Sequence, residues 1–204
     1  MSTQQWWYTS RVAGLTAWGL TAASVIIGLL MTARLGVRSR LRWLLGAHQW
    51  ASGIAVALTF VHVAALVPER HLDLSVAALL VPFASVWRPW AVTFGIVAFY
   101  LLIAVELTSL ARSRLPRRWW RAVHLTSFGL FWLATLHTSM AGSDASGPAV
   151  IAVVNVTVFA VLFLVLARVL ALLPTARRDA RPSHAATTRI PGARGWARPP
   201  TKAG

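Results

Sequence analysis

The sequence predicts an all-α fold, an integral membrane helical bundle of five transmembrane helices with a short interfacial or re-entrant segment between the second and third. Three observations lead there. Of the 204 residues, 57% are hydrophobic, with a mean hydropathy of +0.62, above the apolar share of a soluble domain. Five stretches reach the roughly 20 mostly apolar residues that a bilayer crossing requires. The 20 Lys and Arg, set against 5 Asp and Glu, gather in the gaps between those stretches and in the tail, as membrane insertion distributes them. A net charge of +15 on one folded face would point to nucleic acid. Confined to connections it does not, and a nucleic-acid partner is set aside.

In chain order, residues 1–11 are a short, outer N-terminus without the basic n-region of a signal peptide, so the first apolar run, Val12–Leu35, reads as a retained span. Ala47–Val67 is the second. Leu74–Trp87 is apolar but short and interrupted by Pro82, hence its interfacial or re-entrant reading. Trp90–Leu110, Trp120–Ala141 and Ala149–Leu173 complete the set, so residues 12–173 form one membrane domain. From 174 to 204 the chain is rich in Pro, Gly, Ala and Arg without hydrophobic periodicity, a basic tail expected to be disordered or to lie on anionic lipid.

Basic residues orient the bundle. Arg34, Arg38, Arg40 and Arg42 flank the first connection, and Arg112, Arg114, Arg117, Arg118 and Arg121 the third, which places both in the cytoplasm. The connection after the second span mixes Glu69 and Asp73 with Arg70 and Arg88, and the one after the fourth holds Asp144 and no basic residue, so both face outward. The expected topology is a cell-membrane protein with its N-terminus outside and its C-terminus cytoplasmic. Trp6, Trp7, Trp43, Trp87, Trp90, Trp119 and Trp120 sit at span ends, as an aromatic belt does.

The absence of cysteine excludes disulfides, thiolate-bound iron, iron–sulfur clusters held by this chain and covalent attachment of c-type heme. Metal chemistry falls to histidine or carboxylate. Four of the six histidines lie in spans: His48 and His62 on the second, His124 and His137 on the fourth. Spacings of fourteen and thirteen residues correspond to axial rises of about 21 and 19.5 Å. The two spans run parallel in the expected topology, so His48 and His124 share the inner side and His62 and His137 the outer. Each pair offers two axial nitrogens to an iron porphyrin, and two hemes stacked this way span the membrane. Helical phase fits one span better than the other, since His62 falls about 40° from His48 and His137 about 140° from His124. A bend, a π-bulge near Gly129 or ligation from different azimuths would absorb the second offset. The plainer alternative makes these histidines interhelical hydrogen-bonding groups of a heme-free scaffold or small transporter.

His-Gln-Trp at 48–50, Trp-Arg-Ala-Val-His-Leu at 120–125 and Leu-His-Thr at 136–138, with the two histidine spacings, resemble the ferric reductase-like transmembrane domain, the heme-carrying core of ferric reductases, NADPH oxidases and bacterial methionine-sulfoxide-reductase heme subunits. The resemblance covers about Arg11 to Leu173. It implies two bis-histidine hemes b, the inner iron on His48 and His124 and the outer on His62 and His137, with electrons moving outward. Family members that oxidise NADPH carry a C-terminal flavin and nucleotide domain. Here a short basic tail follows the fifth span, so a separate flavoprotein or reductase is the expected donor and the chain is an oxidoreductase component with no catalytic residue of its own. The family often has six spans; the one absent here corresponds to its first. A quinol-oxidising heme b anchor subunit, whose histidine spacing differs, is the alternative within electron transfer.

Candidate propionate partners are Arg11 and Arg88, with His71, on the outer side and Arg42, Arg118 and Arg121 on the inner; each also reads as a topology determinant or snorkelling anchor. Gly53, between the histidines of the second span, is a place for close approach of a porphyrin or of another helix. Glu106 lies near the inner end of the third span, Asp144 reads as a turn residue, and His184 falls in the tail.

Overall fold

The computed structural model describes residues 2–32, 41–68, 75–142 and 144–172. His71, the Arg34, Arg38 and Arg40 cluster, and the tail with His184 lie outside the described residues. The regular elements among them are all helices: α1 Thr3–Thr32, α2 Leu41–Leu66, α3 Val76–Leu80, α4 Pro89–Leu110, α5 Arg117–Leu125, α6 Ser127–Ala141 and α7 Pro148–Leu172. Four of them, α1, α2, α4 and α7, are each long and apolar enough to cross a membrane, which is compatible with a membrane protein.

Local chemistry sets the starts. Ser2 and Gln5 form a reciprocal capping box, the Ser2 hydroxyl accepting from the Gln5 amide and the Gln5 side chain from the Ser2 amide. This starts α1 at Thr3, ahead of the apolar run. Pro89 and Pro148 open α4 and α7, where a missing amide proton costs nothing. Ser75 caps α3 by accepting from the Ala78 amide at 3.2 Å. The short α3 ends at Val81, and residues 81–88 turn back toward α4 with positive φ at Phe83 (64°) and Arg88 (41°).

The segment expected as one span, Trp120–Ala141, is two helices. At Thr126 the amide bonds to the Val123 carbonyl at 3.0 Å, a three-residue turn, and the side-chain hydroxyl donates to the same carbonyl at 2.7 Å. A hydroxyl that competes for a helix carbonyl loosens and bends the ladder. The break lies upstream of Gly129, and a threonine turn rather than a π-bulge makes it.

Packing pairs α1 with α2 and α4 with α6; α1 also touches α6 and α7, and α4 touches α2, α3 and α5. The face that α1 buries carries Ser10, Ala13, Ala17, Thr21 and Ser24, and α2 buries Ala51, Ala55 and Ala65. Small residues let the backbones close up, which is how helices associate when lipid removes the hydrophobic drive. Larger groups fill the middle: Val25, Leu29, Phe131 and Val161 in one cluster, Leu102 and Leu130 in another. The indole of Trp18 donates to the Thr135 hydroxyl at 3.0 Å and ties α1 to α6. By contrast α7 leaves Phe159, Phe163 and Leu166 exposed.

Candidate functional site

Helices α2 and α5–α6 bring His48, His62, His124 and His137 together in two facing pairs. The His48 and His124 ring centres are 6.1 Å apart and those of His62 and His137 are 6.2 Å apart, both edge to face. His48 therefore meets the histidine nearest the start of α5–α6, and His62 the one nearest its end, so the two helical segments run parallel. The break at Thr126 lies between His124 and His137, where a straight helix would have set their side chains on different faces.

Companion helices fix the rings. His62 Nδ1 lies 2.8 Å from the Ser10 carbonyl and 3.0 Å from the Ser10 hydroxyl. His48 Nδ1 lies 2.9 Å from both the carbonyl and the hydroxyl of Ser24. His137 Nδ1 lies 2.8 Å from the Ala91 carbonyl. A carbonyl only accepts, so Nδ1 carries the proton in each of these rings and Nε2 is left with a free lone pair. His124 differs. Its Nδ1 is buried without a hydrogen-bond partner among the described residues, as is Nε1 of Trp120, and the two rings stack at 5.0 Å.

Glycines make room for two of these contacts. A Cβ on Gly14 would come within 2.7 Å of His62 Nδ1, and one on Gly95 within 2.6 Å of His137 Nδ1; at Gly28 the nearest His48 atom would be 3.6 Å away. Gly53 is not such a position. It is exposed, nothing lies within 4 Å of the site of a Cβ, and it stands about 140° around α2 from His48.

A largely apolar cavity opens between α1, α2, α4 and α6, lined by His62 and His137 with Trp18, Thr59, Phe99, Leu102 and Leu130, and with Trp7, Arg11 and Asp144 toward its outer end. Arg11 pairs with Asp144 through both carboxylate oxygens, Nε donating at 3.1 Å. This hydrogen bond, ahead of the Coulomb attraction of the same guanidinium, holds the Asp144 carboxyl below the usual carboxylate range. Asp144 also lies in a turn, its carbonyl accepting from the Gly147 amide at 2.8 Å.

The other candidate arginines are placed differently. Arg88 donates to the Met140 carbonyl and lies over the Trp87 ring. Arg42 is exposed on the first turn of α2. Arg118 lies over Trp119, whereas Arg121 lines a shallow pocket with Arg112, Arg117 and Trp120. Sequence reading missed the carbonyls of Ser10, Ser24 and Ala91, the glycines at 14, 28 and 95, and the Arg11–Asp144 pair. Each is set by the register of one helix on another, and a backbone carbonyl leaves no residue signature.

Among the described residues no three of His, Asp and Glu gather into a metal-binding cluster; the histidines come in twos. At the His62–His137 pair, two facing imidazoles with free Nε2 atoms are suited to gripping one group from both sides. No known protein-family model, curated protein or solved structure matches the chain.

Proposed function

We propose that this chain is a membrane cytochrome of the b type, in which α2 and α5–α6 hold two hemes by paired histidines and carry electrons across the bilayer. The observation that carries the reading is the geometry of the pairs. An imidazole nitrogen bonds a metal at about 2.0–2.1 Å, and its ring centre lies about 1 Å further back, so two rings gripping one iron have centres about 6 Å apart. The centres here are 6.1 and 6.2 Å apart. At the His62–His137 pair, an apolar cavity lined by Phe99, Leu102 and Leu130 offers a porphyrin its surroundings, and the carbonyl bonds at Nδ1 hold three of the four rings in the tautomer that ligation through Nε2 requires.

A bound heme b supplies one-electron exchange between ferric and ferrous iron. The chain's own residues do the rest. Two histidine levels about 21 Å apart along α2 place redox sites toward both faces. The walls are apolar, and Arg11, at the outer end of the cavity, would divide its guanidinium between Asp144 and an outer propionate, with Arg88 on the same side. Arg42, Arg118 and Arg121 serve the inner one. Counted together, α5 and α6 rise about 37 Å over residues 117–141, enough for a fifth crossing of a core about 30 Å thick; α3 and the turn after it lie at the outer interface. The arginine distribution puts the N-terminus outside and the C-terminus in the cytoplasm. The donor is a separate flavoprotein able to split an electron pair, and the acceptor sits at the outer face.

The test is a reduced-minus-oxidised spectrum and a pyridine hemochrome count on the detergent-purified protein. Two low-spin hemes b per chain, one lost with the His48 and His124 pair and the other with the His62 and His137 pair, are expected. Absence of heme after expression with ample supply would leave the histidines as packing groups of a scaffold or transporter.

A further inference from the structure

The four histidines are not held alike. The acceptor and the glycine recur four residues apart on the companion helix: Ser10 with Gly14 at His62, Ser24 with Gly28 at His48, and Ala91 with Gly95 at His137. On α1 the two sets are fourteen residues apart, matching the fourteen between His48 and His62. His124 and His137 are thirteen apart, and the corresponding step along α4 leads from Ala91 to Ala104 and from Gly95 to Thr108. There the pattern fails. The carbonyls of Ala104 and its neighbour Val105 accept from the Thr108 hydroxyl at 2.7 and 3.1 Å, a threonine stands where glycine would, and Nδ1 of His124 is buried without a partner among the described residues.

We infer that His124 is the unanchored ligand of the four, and that the inner heme site is therefore the one that opens to a small neutral ligand such as carbon monoxide. The inference rests on the heme reading above. A carbonyl bonded to Nδ1–H fixes ring orientation and makes the distal nitrogen a stronger donor to metal. His62 and His137 both have that bond, so the outer iron keeps two firm ligands. His48 has it and His124 does not, so the inner iron has one firm ligand and one that lets go. With a heme bound there and reduced, carbon monoxide would take the place of His124 Nε2 on the iron, and the freed imidazole would stay neutral beside Trp120; no further electron or proton would be required. Thr108 acts at one remove, as a positioning residue that withholds the acceptor.

The experiment uses the full-length, heme-loaded protein in detergent, reduced with dithionite and titrated with carbon monoxide. One of the two hemes is expected to show the Soret shift. The His62→Ala/His137→Ala variant, which retains the inner heme, should bind the gas, and His48→Ala/His124→Ala, which retains the outer, should not. Thr108→Val frees the α4 carbonyls, and should reduce the gas-binding fraction several-fold at unchanged heme content and lower the inner midpoint potential alone. Equal binding at both hemes, binding at the outer one only, no binding at all, or a Thr108→Val protein that behaves as the parent would overturn the inference. Absence of heme would instead sink the heme reading. The asymmetry then stands or falls on the imidazole nitrogen-15 spectrum of the heme-free protein carrying His71→Gln and His184→Gln, which leaves the four paired histidines: three Nδ1–H tautomers and one averaged ring, removed by His124→Gln, support it, and four equivalent rings refute it.

Discussion

At Gly95 a single hydrogen leaves His137 its room, because a Cβ there would meet the ring at 2.6 Å from Nδ1 and 2.7 Å from Cε1, distances at which the ring or the helix must move. If the proposed hemes are present, Gly95→Val is expected to expel the one at His62 and His137 and bring the hemochrome count down to about half, whereas Gly28→Ala, whose Cβ would sit 3.6 Å from His48, keeps it whole. A full count in Gly95→Val would show that His137 does not need this position. Asp144 gives a second test of a single contact. Arg11 holds its carboxyl below the ordinary range, so the ion pair contributes fully above the unfolded carboxylate pKa, and that contribution disappears as pH falls through the lowered folded value. With the carboxylate about a third exposed, the contribution is that of a surface pair, below about 1 kcal/mol. Asp144→Asn should cost little at neutral pH and flatten the acid side of a melting-temperature profile; an unchanged acid limb would mean the pair does not hold in solution. At this scale the histidines were legible from spacing alone, whereas the pairing of Arg11 with Asp144, 133 positions apart, was not.

Element boundaries follow capping chemistry more than hydropathy. The Ser2–Gln5 box carries α1 to Thr3 although the apolar run starts at Val12, and α2 begins at Leu41 although its apolar run starts at Ala47. The α5–α6 break had a signature in the sequence: the offset of about 140° between His124 and His137 in an unbroken helix. Its position did not, because Thr126 is one of several span threonines that bond back to their own helix, as Thr21, Thr59 and Thr135 do without breaking it. Thr126→Ala removes the hydroxyl bond to Val123 and favours a continuous helix, which would turn His124 away from His48. On the proposed heme reading, the expected result is selective loss of the low-spin electron paramagnetic resonance signal from the His48–His124 site, the one from the His62–His137 site persisting. Retention of both signals would assign the break to packing of α5 on α4.

For the whole molecule, the sign of each connection carries information that packing alone does not. The side chains that cross-connect the bundle, Trp18 with Thr135 and His48, His62 and His137 with their carbonyls, would be satisfied in either orientation across a bilayer. What distinguishes the two ends is charge. The end holding Arg112, Arg114, Arg117, Arg118 and Arg121 lies beside His124, and the end holding Asp144, paired with Arg11, lies beside His62 and His137. Insertion retains arginine-rich connections in the cytoplasm, so in the proposed topology the His48–His124 level would lie toward the cytoplasm and the His62–His137 level toward the outside. The chain has no cysteine, so one introduced thiol reports its location without background. Ser113→Cys, between α4 and α5, should react with a membrane-impermeant maleimide only after the cells are opened, and Ala145→Cys, between α6 and α7, should react on intact cells. Labelling of both on intact cells would mean that α5 and α6 together do not cross, leaving four spans. Reaction of Ser113→Cys alone would invert the bundle and with it the direction of the proposed electron transfer.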